Sequence, residues 1–382
     1  MTKSFQSKLP NTKVTIFSRM TALAQAHQAI NLSQGFPDFD LDPRLTSLVT
    51  KYLGKGFNQY APMPGTMELR RVIAEKYRSI YNLNIDAQEE ITITAGGTQA
   101  LYNVIGCLIH PGDEVILFEP AYDSYGPSVQ SFGGTVVPIV LEAPDFRIDW
   151  DLVKNKISSK TKLIIINNPN NPTGRLLDAQ DIKALEKLVS EHDIFVLSDE
   201  VYEHLVFDRK KHISILSSSL LRERGFVVAS FGKVLHATGW KLGYVVASPF
   251  LTAEMRKIHQ FNVFSVNTPM QYAIAEYLED PTYYEKLALL FQQKRDYVIN
   301  SLRNSKFSTL PCEGTYFILA DYSELSNQDE LDFAIDLTEK HKTATIPVSA
   351  FYSEAKNQHL IRLCFAKKEE TLEAALRNLS RL

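Results

Sequence analysis

From about residue 90 to residue 247, short β-branched and apolar runs alternate with stretches of helical periodicity. Several runs are nearly continuous in apolar residues, as is typical of strands buried on both faces of a sheet. This alternation predicts an α/β fold with a mainly parallel sheet between helices. The predicted strands are Ile91–Thr94, Val115–Phe118, Thr135–Val140, Lys162–Ile166, Ile194–Ser198, Phe226–Ser230 and Tyr244–Ala247.

The two ends of the chain have a different character, and 382 residues exceed what one compact core usually holds. A polar arm precedes a predicted helix at Phe17 to Ala29. The part after residue 280 is predicted to contain a long helix (Tyr283–Ser301), two strands (Thr315–Ala320 and Leu360–Phe365) and a last helix with an apolar stripe at Leu372, Leu376 and Leu379. These elements indicate a second, smaller α+β domain. We expect an N-terminal arm and helix (1–35) that pack with the small domain (281–382), and a large domain at 36–280.

Bulk composition narrows the function. A formal net charge of −3 argues against a general nucleic-acid surface, and no run approaches the roughly 18 apolar residues that span a bilayer. The three cysteines, Cys107, Cys312 and Cys364, are scattered and odd in number, which favours a reducing, cytoplasmic compartment. No spacing typical of a metal site occurs, so we predict no bound metal.

Ligands of open α/β sheets bind beyond the carboxyl ends of the strands, so the residues that follow each predicted strand carry the most information. The small residues Gly96 and Gly97 and then Thr98 follow the first strand and open a predicted helix at about Thr98. Small residues at a helix N-terminus suit a phosphate, with Thr98 as the expected N-cap. A plain tight turn with an N-cap is the alternative.

Two further strand ends carry polar side chains. The run Asn167 to Gly174 contains two Asn-Pro steps, which force a rigid loop and place the amide of Asn171 near a ligand, unless the loop is only a turn. Asp199 follows a buried strand and needs a cationic or hydrogen-bonding partner. That partner is either a protonated pyridine nitrogen or an Arg or Lys side chain.

The strand that ends at Ser230 is followed by Lys233 and then Lys241. A lysine in a partly desolvated site has a lowered pKa and can attack a carbonyl carbon, although most lysines are surface residues. These groups together are what pyridoxal 5′-phosphate (PLP) requires. The phosphate cradle anchors it, the amide of Asn171 faces a ring oxygen, the carboxylate of Asp199 keeps the ring nitrogen protonated, and the amine of Lys233 reacts with the aldehyde.

The chain also resembles the class I aminotransferases of PLP fold type I, near the branch of methionine aminotransferases and kynurenine/glutamine-phenylpyruvate transaminases. The resemblance runs nearly end to end and implies a large domain with a mainly parallel sheet between helices plus a smaller α+β domain. It is carried by ordered blocks, which are NLSQGFPDFD (31–40), NQYAPMPG (58–65), TAGGTQAL (94–101), EPAYDSY (119–125), NNPNNPTG (167–174), SDEVYEH (198–204), SFGKVLHATGWKLGY (230–244), FSVNTP (264–269), EGTYF (313–317) and IRLCFAK (361–367).

The resemblance implies a role for each matching residue around the cofactor ring. Lys233 would form the Schiff base and shuttle the substrate proton, and Asp199 would pair with the ring nitrogen. Tyr202 and Asn171 would hydrogen-bond the phenolic oxygen, and Tyr122 would stack on the ring.

At the phosphate, the resemblance implies contacts from Gly97, Thr98, Ser230 and Lys241, with Tyr60 reaching across from the neighbouring subunit of a homodimer. Many relatives have an arginine where this chain has Lys241. A lysine ammonium is a compact charge, whereas an arginine guanidinium can donate two parallel hydrogen bonds, so the phosphate is expected to be held less directionally.

On the substrate side, Arg362 would clamp the α-carboxylate, helped by the Gly35 backbone and Asn171. The side-chain pocket would be formed by Phe17, Tyr60 and, from the partner subunit, Phe264. Aromatic walls favour methionine first, with phenylalanine, tyrosine, histidine, glutamine and kynurenine as further substrates.

The predicted reaction is a ping-pong transfer of the α-amino group to a 2-oxo acid. The main alternative is a PLP-dependent β-lyase acting on cystathionine or cysteine conjugates, which would use the same Lys233, Asp199 and Arg362. A dinucleotide-dependent oxidoreductase would also suit the α/β alternation, but no Rossmann glycine fingerprint follows any predicted strand.

Overall fold

The structure is a computed structural model that describes residues 6–280 and 282–382. Its strands are β1 (Ile30–Asn31), β2 (Ile91–Thr94), β3 (Glu114–Glu119), β4 (Thr135–Val140), β5 (Thr161–Asn167), β6 (Phe195–Asp199), β7 (Gly225–Ser230), β8 (Gly243–Ala247), β9 (Ser308–Thr309), β10 (Phe317–Asp321), β11 (Thr343–Ala344), β12 (Ile346–Pro347) and β13 (Leu360–Cys364). Each of the seven strands predicted between residues 91 and 247 is present, within one residue at either end.

The helices are α1 (Ile16–Ala26), α2 (Pro43–Gly54), α3 (Met67–Tyr81), α4 (Gly96–Leu108), α5 (Tyr125–Ser131), α6 (Trp150–Lys156), α7 (Ala179–Glu191), α8 (Ser219–Arg224), α9 (Phe231–Val234), α10 (Pro249–Asn262), α11 (Thr268–Tyr277), α12 (Tyr283–Leu302), α13 (Glu330–Glu339) and α14 (Glu369–Leu379). No helix in the described ranges combines the length and the apolar character that a bilayer-spanning segment needs.

The central sheet has seven strands in the order β2-β8-β7-β6-β5-β3-β4. The pairs from β7 through β4 are parallel, whereas β8 runs antiparallel to both β2 and β7. The predicted α/β fold with a mainly parallel sheet is therefore confirmed. Because parallel strands end at a common edge, the residues after β5, β6 and β7 meet there.

Both faces of this sheet are buried along its central strands β5, β6, β7 and β8, as the continuous apolar runs predict. Along β5, Leu163 and Ile165 join the core cluster that contains residues of α4, whereas Ile164 and Ile166 join the cluster on the other face, with residues of α7. Successive side chains of a strand point to opposite faces, so an apolar residue is needed at every position.

The C-terminal part forms a smaller sheet in the order β12-β13-β10-β9. The N-terminal segment lies on this part of the chain, because β1 pairs with β11 and α1 packs against α13. The domain boundaries at 1–35, 36–280 and 281–382 stay predictions.

Local backbone conformation explains where element boundaries differ from the predictions. The first helix ends at Ala26 and not at Ala29, because Gln28 adopts a left-handed conformation with φ 50°. The strand expected from Thr315 begins at Phe317, since Thr315 has φ 69°, outside the extended region.

Candidate active site

The N-terminus of α4 meets the start of β8 in a close contact between backbones. A Cβ on Gly243 would lie 2.9 Å from the amide nitrogen of Gly97, and one on Gly96 (φ 81°) would lie 3.4 Å from Nζ of Lys241. Small residues thus bring the Lys241 ammonium beside the first amides of α4. These amides and the helix dipole form an anion cradle.

The expected N-cap at Thr98 is wrong. Helix α4 begins at Gly96 with Ala95 as the N-cap, so Thr98 is the third helical residue. The glycines at positions 96 and 97 enter the helix and do not form a separate turn before it. The Thr98 side chain instead lines the cavity described next.

One cavity at the carboxyl edge of the sheet brings together most of the residues that the sequence singled out. It is lined by Gly97, Thr98, Tyr122, Asn171, Asp199, Tyr202, Ser230, Lys233 and Lys241. Gly96, also named with the small residues after the first strand, lines it too, and Tyr125, Asn167 and Thr238 line it and were missed. Tyr125, Asn167 and Thr238 all stand inside sequence blocks that carry the family resemblance, so that resemblance held a signal for each of them.

Asp199 ends β6 and is 4% exposed. Its Oδ2 accepts a hydrogen bond from the Tyr125 hydroxyl at 2.6 Å, and its Oδ1 accepts one from the Val201 amide at 3.3 Å. Burial raises the pKa of Asp199 to about 6, against the effect of these hydrogen bonds. Among the residues that the structure describes, no Arg or Lys forms a salt bridge with it, so the carboxylate is available to a cationic ligand.

Lys233 lies in the short helix α9, with Nζ 3.4 Å from the carbonyl oxygen of Gly35. The same nitrogen is 5.8 Å from the ring centre of Tyr202 and 5.6 Å from that of Tyr316. Burial lowers the pKa of Lys233 to about 8. The lysine is therefore a cavity residue with a substantial neutral fraction near physiological pH, and not a solvated surface lysine.

This pKa predicts how cofactor uptake depends on pH. Only the neutral amine attacks an aldehyde, and Lys233, with a pKa lowered to about 8, is mostly neutral when the pH exceeds that value. Mixing apo protein with PLP in a stopped-flow spectrometer should show an uptake rate that rises about tenfold per pH unit below 8 and levels off above it. A rate that keeps rising toward pH 10 would contradict a lowered lysine pKa.

Arg362, on β13, is fully buried and bonded to Asn171, which lines this cavity. Its Nη1 donates to Oδ1 of Asn171 at 2.8 Å, and its Nη2 donates to the Ser33 carbonyl at 2.9 Å. A guanidinium has five N–H donors, so three remain. Burial lowers the pKa of Arg362 to about 10, which leaves it charged at neutral pH.

Aromatic rings surround this guanidinium. Its central carbon lies 3.8 Å from the ring centre of Phe317, 5.1 Å from that of Phe351 and 5.3 Å from that of Phe17. A Cβ on Gly35 would lie 2.6 Å from the Phe317 ring, so only glycine fits there. Of these groups, Phe17 and Gly35 were predicted, whereas Phe317 and Phe351 were missed.

Tyr60 and Phe264 lie away from the cavity within the single chain. Their side chains are 83% and 43% exposed, and their ring centres are 5.7 Å apart. Tyr60 lines a separate surface depression together with Ser265. Their predicted roles at a partner's site stay predictions.

A buried charged cluster outside the cavity lining was also missed. Glu200, Glu203 and His212 bring ligand-type atoms within 4.8 Å of one another. Nζ of Lys76 lies 2.7 Å from both carboxylate oxygens of Glu203, so an ammonium group already supplies positive charge there. Burial and the Glu203 carboxylate raise the pKa of Glu200 to about 8.

The residues around the cavity fit PLP. The α4 N-terminus with Lys241 matches the phosphate, the buried carboxylate of Asp199 matches a protonated ring nitrogen, and the amine of Lys233 matches the aldehyde. All three groups line one cavity, as a single cofactor molecule requires.

Comparison with known proteins gives a consistent result. The family model for class I and II aminotransferases matches residues 27–379. Methionine aminotransferase of Escherichia coli (strain K12) is 49% identical over 99% of this chain and 98% of its own. Kynurenine–oxoglutarate transaminase 3 of Rattus norvegicus is 35% identical over 94% of this chain and 86% of its own.

A solved structure of YbdL from Escherichia coli, whose description assigns it a methionine aminotransferase function, matches with a TM-score of 0.97. It is 48% identical and covers 100% of both chains. The chain therefore belongs to the class I and II aminotransferases, and it is a PLP-dependent transaminase of fold type I.

Proposed function

We propose that this transaminase moves the α-amino group of methionine and of aromatic amino acids to a 2-oxo acid by a ping-pong mechanism. Histidine, glutamine and kynurenine are secondary substrates in this proposal. The observation that carries it is one cavity that holds Lys233 and Asp199, with the buried Arg362 bonded to the lining residue Asn171, in a chain 49% identical to a methionine aminotransferase.

When bound, PLP supplies an aldehyde for the amino group and a ring that draws electrons from the substrate Cα. Lys233 takes the proton from the substrate Cα onto Nζ and delivers it to the carbon on the other side of the substrate nitrogen. Asp199 holds a proton on the ring nitrogen through its buried carboxylate. The unused N–H groups of Asn171 and the Tyr202 hydroxyl are hydrogen-bond donors for the phenolic oxygen.

At the phosphate, we assign the contacts to Gly97, Thr98, Ser230 and Lys241. All four residues line the cavity. Tyr122 also lines the cavity and supplies a ring that can stack on the cofactor.

Arg362 binds the α-carboxylate in this proposal. Three N–H groups remain after its bonds to Asn171 and Ser33, enough for a bidentate contact. Those two bonds also fix the plane of the guanidinium before substrate arrives. A preset plane reduces the entropy lost on binding.

Side-chain specificity follows from the rings near Arg362. Phe17 and Phe351 have ring centres 5.9 Å apart in an edge-to-face arrangement. Such walls suit a thioether or a flat aromatic side chain better than a carboxylate. The names of the relatives, which include methionine aminotransferase and kynurenine–oxoglutarate transaminase, support the same substrate class.

We further propose that the protein is a homodimer whose two subunits share residues at each active site, and that it is located in the cytoplasm. Tyr60, Phe261 and Phe264 are exposed aromatic residues, with Phe261 at 87%, and they are candidates for burial against a second copy. In this arrangement Tyr60 reaches the partner's phosphate and Phe264 the partner's substrate. The three free cysteines support a reducing compartment.

A half-reaction screen tests the substrate assignment. PLP-loaded protein is mixed with single amino acids, and the absorbance change to the aminated cofactor is followed together with the 2-oxo acid product. Methionine should react fastest, the aromatic amino acids next, and aspartate slowest by at least about tenfold.

Cystathionine alone is the control for the β-lyase alternative. Release of pyruvate and ammonia from cystathionine, without turnover of methionine, would refute the proposal. Turnover of methionine that leaves the cofactor aminated until an oxo acid is added would support the ping-pong order.

A further inference from the structure

Glu119 forms an unexplained contact between the large sheet and the C-terminal part of the chain. It is the last residue of β3 and is 5% exposed, and both of its carboxylate oxygens accept hydrogen bonds from the same residue. Oε1 accepts from the Ser353 amide at 3.0 Å and Oε2 from the Ser353 hydroxyl at 3.1 Å. In the described ranges no Lys or Arg forms a salt bridge with Glu119, so an ion pair does not account for a carboxylate at this buried position.

A second bond joins the same two segments. The amide of Ala121 donates to the carbonyl oxygen of Phe351 at 2.8 Å. The next residue, Tyr122, lines the cofactor cavity. The three residues from Glu119 to Ala121 therefore connect a cavity wall to the segment that carries Phe351.

Phe351 is the functional end of this connection. Its ring centre lies 5.1 Å from the Arg362 guanidinium carbon, and its side chain is 4% exposed. An apolar ring beside a buried cation keeps water away from it. Exclusion of water strengthens the attraction between that cation and a carboxylate.

We propose that Glu119 is a positioning residue for the substrate-carboxylate site, because it holds the segment from Phe351 to Ser353 against the end of β3 and so sets Phe351 beside Arg362. The inference rests on the proposed function, in which Arg362 binds the α-carboxylate. Loss of the hydrogen bonds between Glu119 and Ser353 lets the Phe351 ring move away from Arg362. This movement weakens substrate binding and leaves the cofactor contacts in place.

The test uses PLP-loaded Glu119→Ala, Glu119→Gln and Ser353→Ala. For each, KM and kcat with methionine, the Kd of 3-phenylpropanoate (a carboxylate probe without an amino group), the Kd of PLP and the melting temperature are measured. We expect Glu119→Ala to raise KM and the probe's Kd about tenfold, since two hydrogen bonds are lost. The Kd of PLP and kcat should stay within about twofold.

The other variants grade the effect. Glu119→Gln keeps an oxygen for the Ser353 amide and should rescue most of the binding. Ser353→Ala loses only the hydroxyl contact and should raise KM about threefold. If Glu119→Ala does not fold, the expected loss is tested on Ser353→Ala, with Glu119→Gln as the near-wild-type reference.

Glu142→Ala is the matched control. Glu142 pairs with Lys356, so it joins the same two parts of the chain, but the pair is solvent-exposed. We expect all five quantities to stay at their wild-type values. A similar rise in KM would show that any loosening between the two parts suffices and would overturn the specific role of Glu119.

Two further outcomes overturn the inference. One is an unchanged KM and probe Kd in both Glu119 variants. The other is a parallel loss of PLP affinity, kcat and melting temperature, which marks a merely structural role. A wild-type protein that binds the probe but turns over no amino acid refutes the proposed function instead, and the probe's Kd still tests Glu119.

Discussion

Replacing Lys233 with alanine is expected to abolish transamination, with kcat/KM lowered by roughly 10⁴-fold or more. The variant loses both the amine that joins the cofactor aldehyde and the base that moves the Cα proton, and a positioned base alone contributes about 10²–10⁴-fold. The phosphate cradle and Asp199 lie on other elements and remain. PLP should therefore still bind, but without a covalent link.

Borohydride reduction followed by intact-mass measurement distinguishes bound from linked cofactor. The wild type should retain the cofactor mass after denaturation, and Lys233→Ala should not. Lys241→Ala is the matched control, because it removes the other lysine of the same cavity. That variant should bind PLP more weakly yet keep the covalent link. Activity of Lys233→Ala above about a hundredth of wild type would contradict the assignment.

The strands could be predicted because their signal is local. Each buried strand needs apolar residues on both faces, and β5 satisfies this at Leu163, Ile164, Ile165 and Ile166. The strand order could not be predicted in the same way. The insertion of β8, antiparallel, between β2 and β7 depends on pairings between distant segments that leave no periodicity in either one.

The same division holds for the cavity. Lys233, Asp199 and Asn171 follow strands, so the topology of an α/β sheet brings them together once the strands are known. Lys76 and Glu203 are separated by 127 positions and Glu119 and Ser353 by 234. Glu203 and Glu119 stand in blocks that carry the family resemblance, but their partners Lys76 and Ser353 do not, so no motif indicates either pairing. Tyr60 and Phe264 need a second copy of the chain before their surroundings are defined.

Replacing Asp199 with asparagine is expected to lower kcat by roughly 10²–10³-fold while PLP stays covalently attached to Lys233. Asparagine keeps the shape of the side chain and can still accept the Tyr125 hydroxyl bond, but it carries no negative charge to hold a proton on the ring nitrogen. Removal of one preorganised electrostatic group from an active site commonly has an effect of this size.

Stability separates this effect from damage to the fold. Burial raises the pKa of Asp199 to about 6, above its ordinary value near 4, so the folded apo protein binds the proton more tightly than the unfolded chain does. The charged carboxylate therefore costs stability, and that cost develops as the pH rises from about 4 to about 6. At pH 7, apo Asp199→Asn should melt no lower than wild-type apo protein.

Tyr125→Phe is the graded comparison for Asp199→Asn. It removes the 2.6 Å hydrogen bond but keeps the charge, so kcat should fall only about tenfold. The measurements are kcat with methionine, retention of PLP after borohydride reduction, and the apo melting temperature. If Asp199→Asn kept kcat within tenfold of wild type, a negative charge at position 199 would not be required, and the pairing of Asp199 with a protonated ring nitrogen would be refuted.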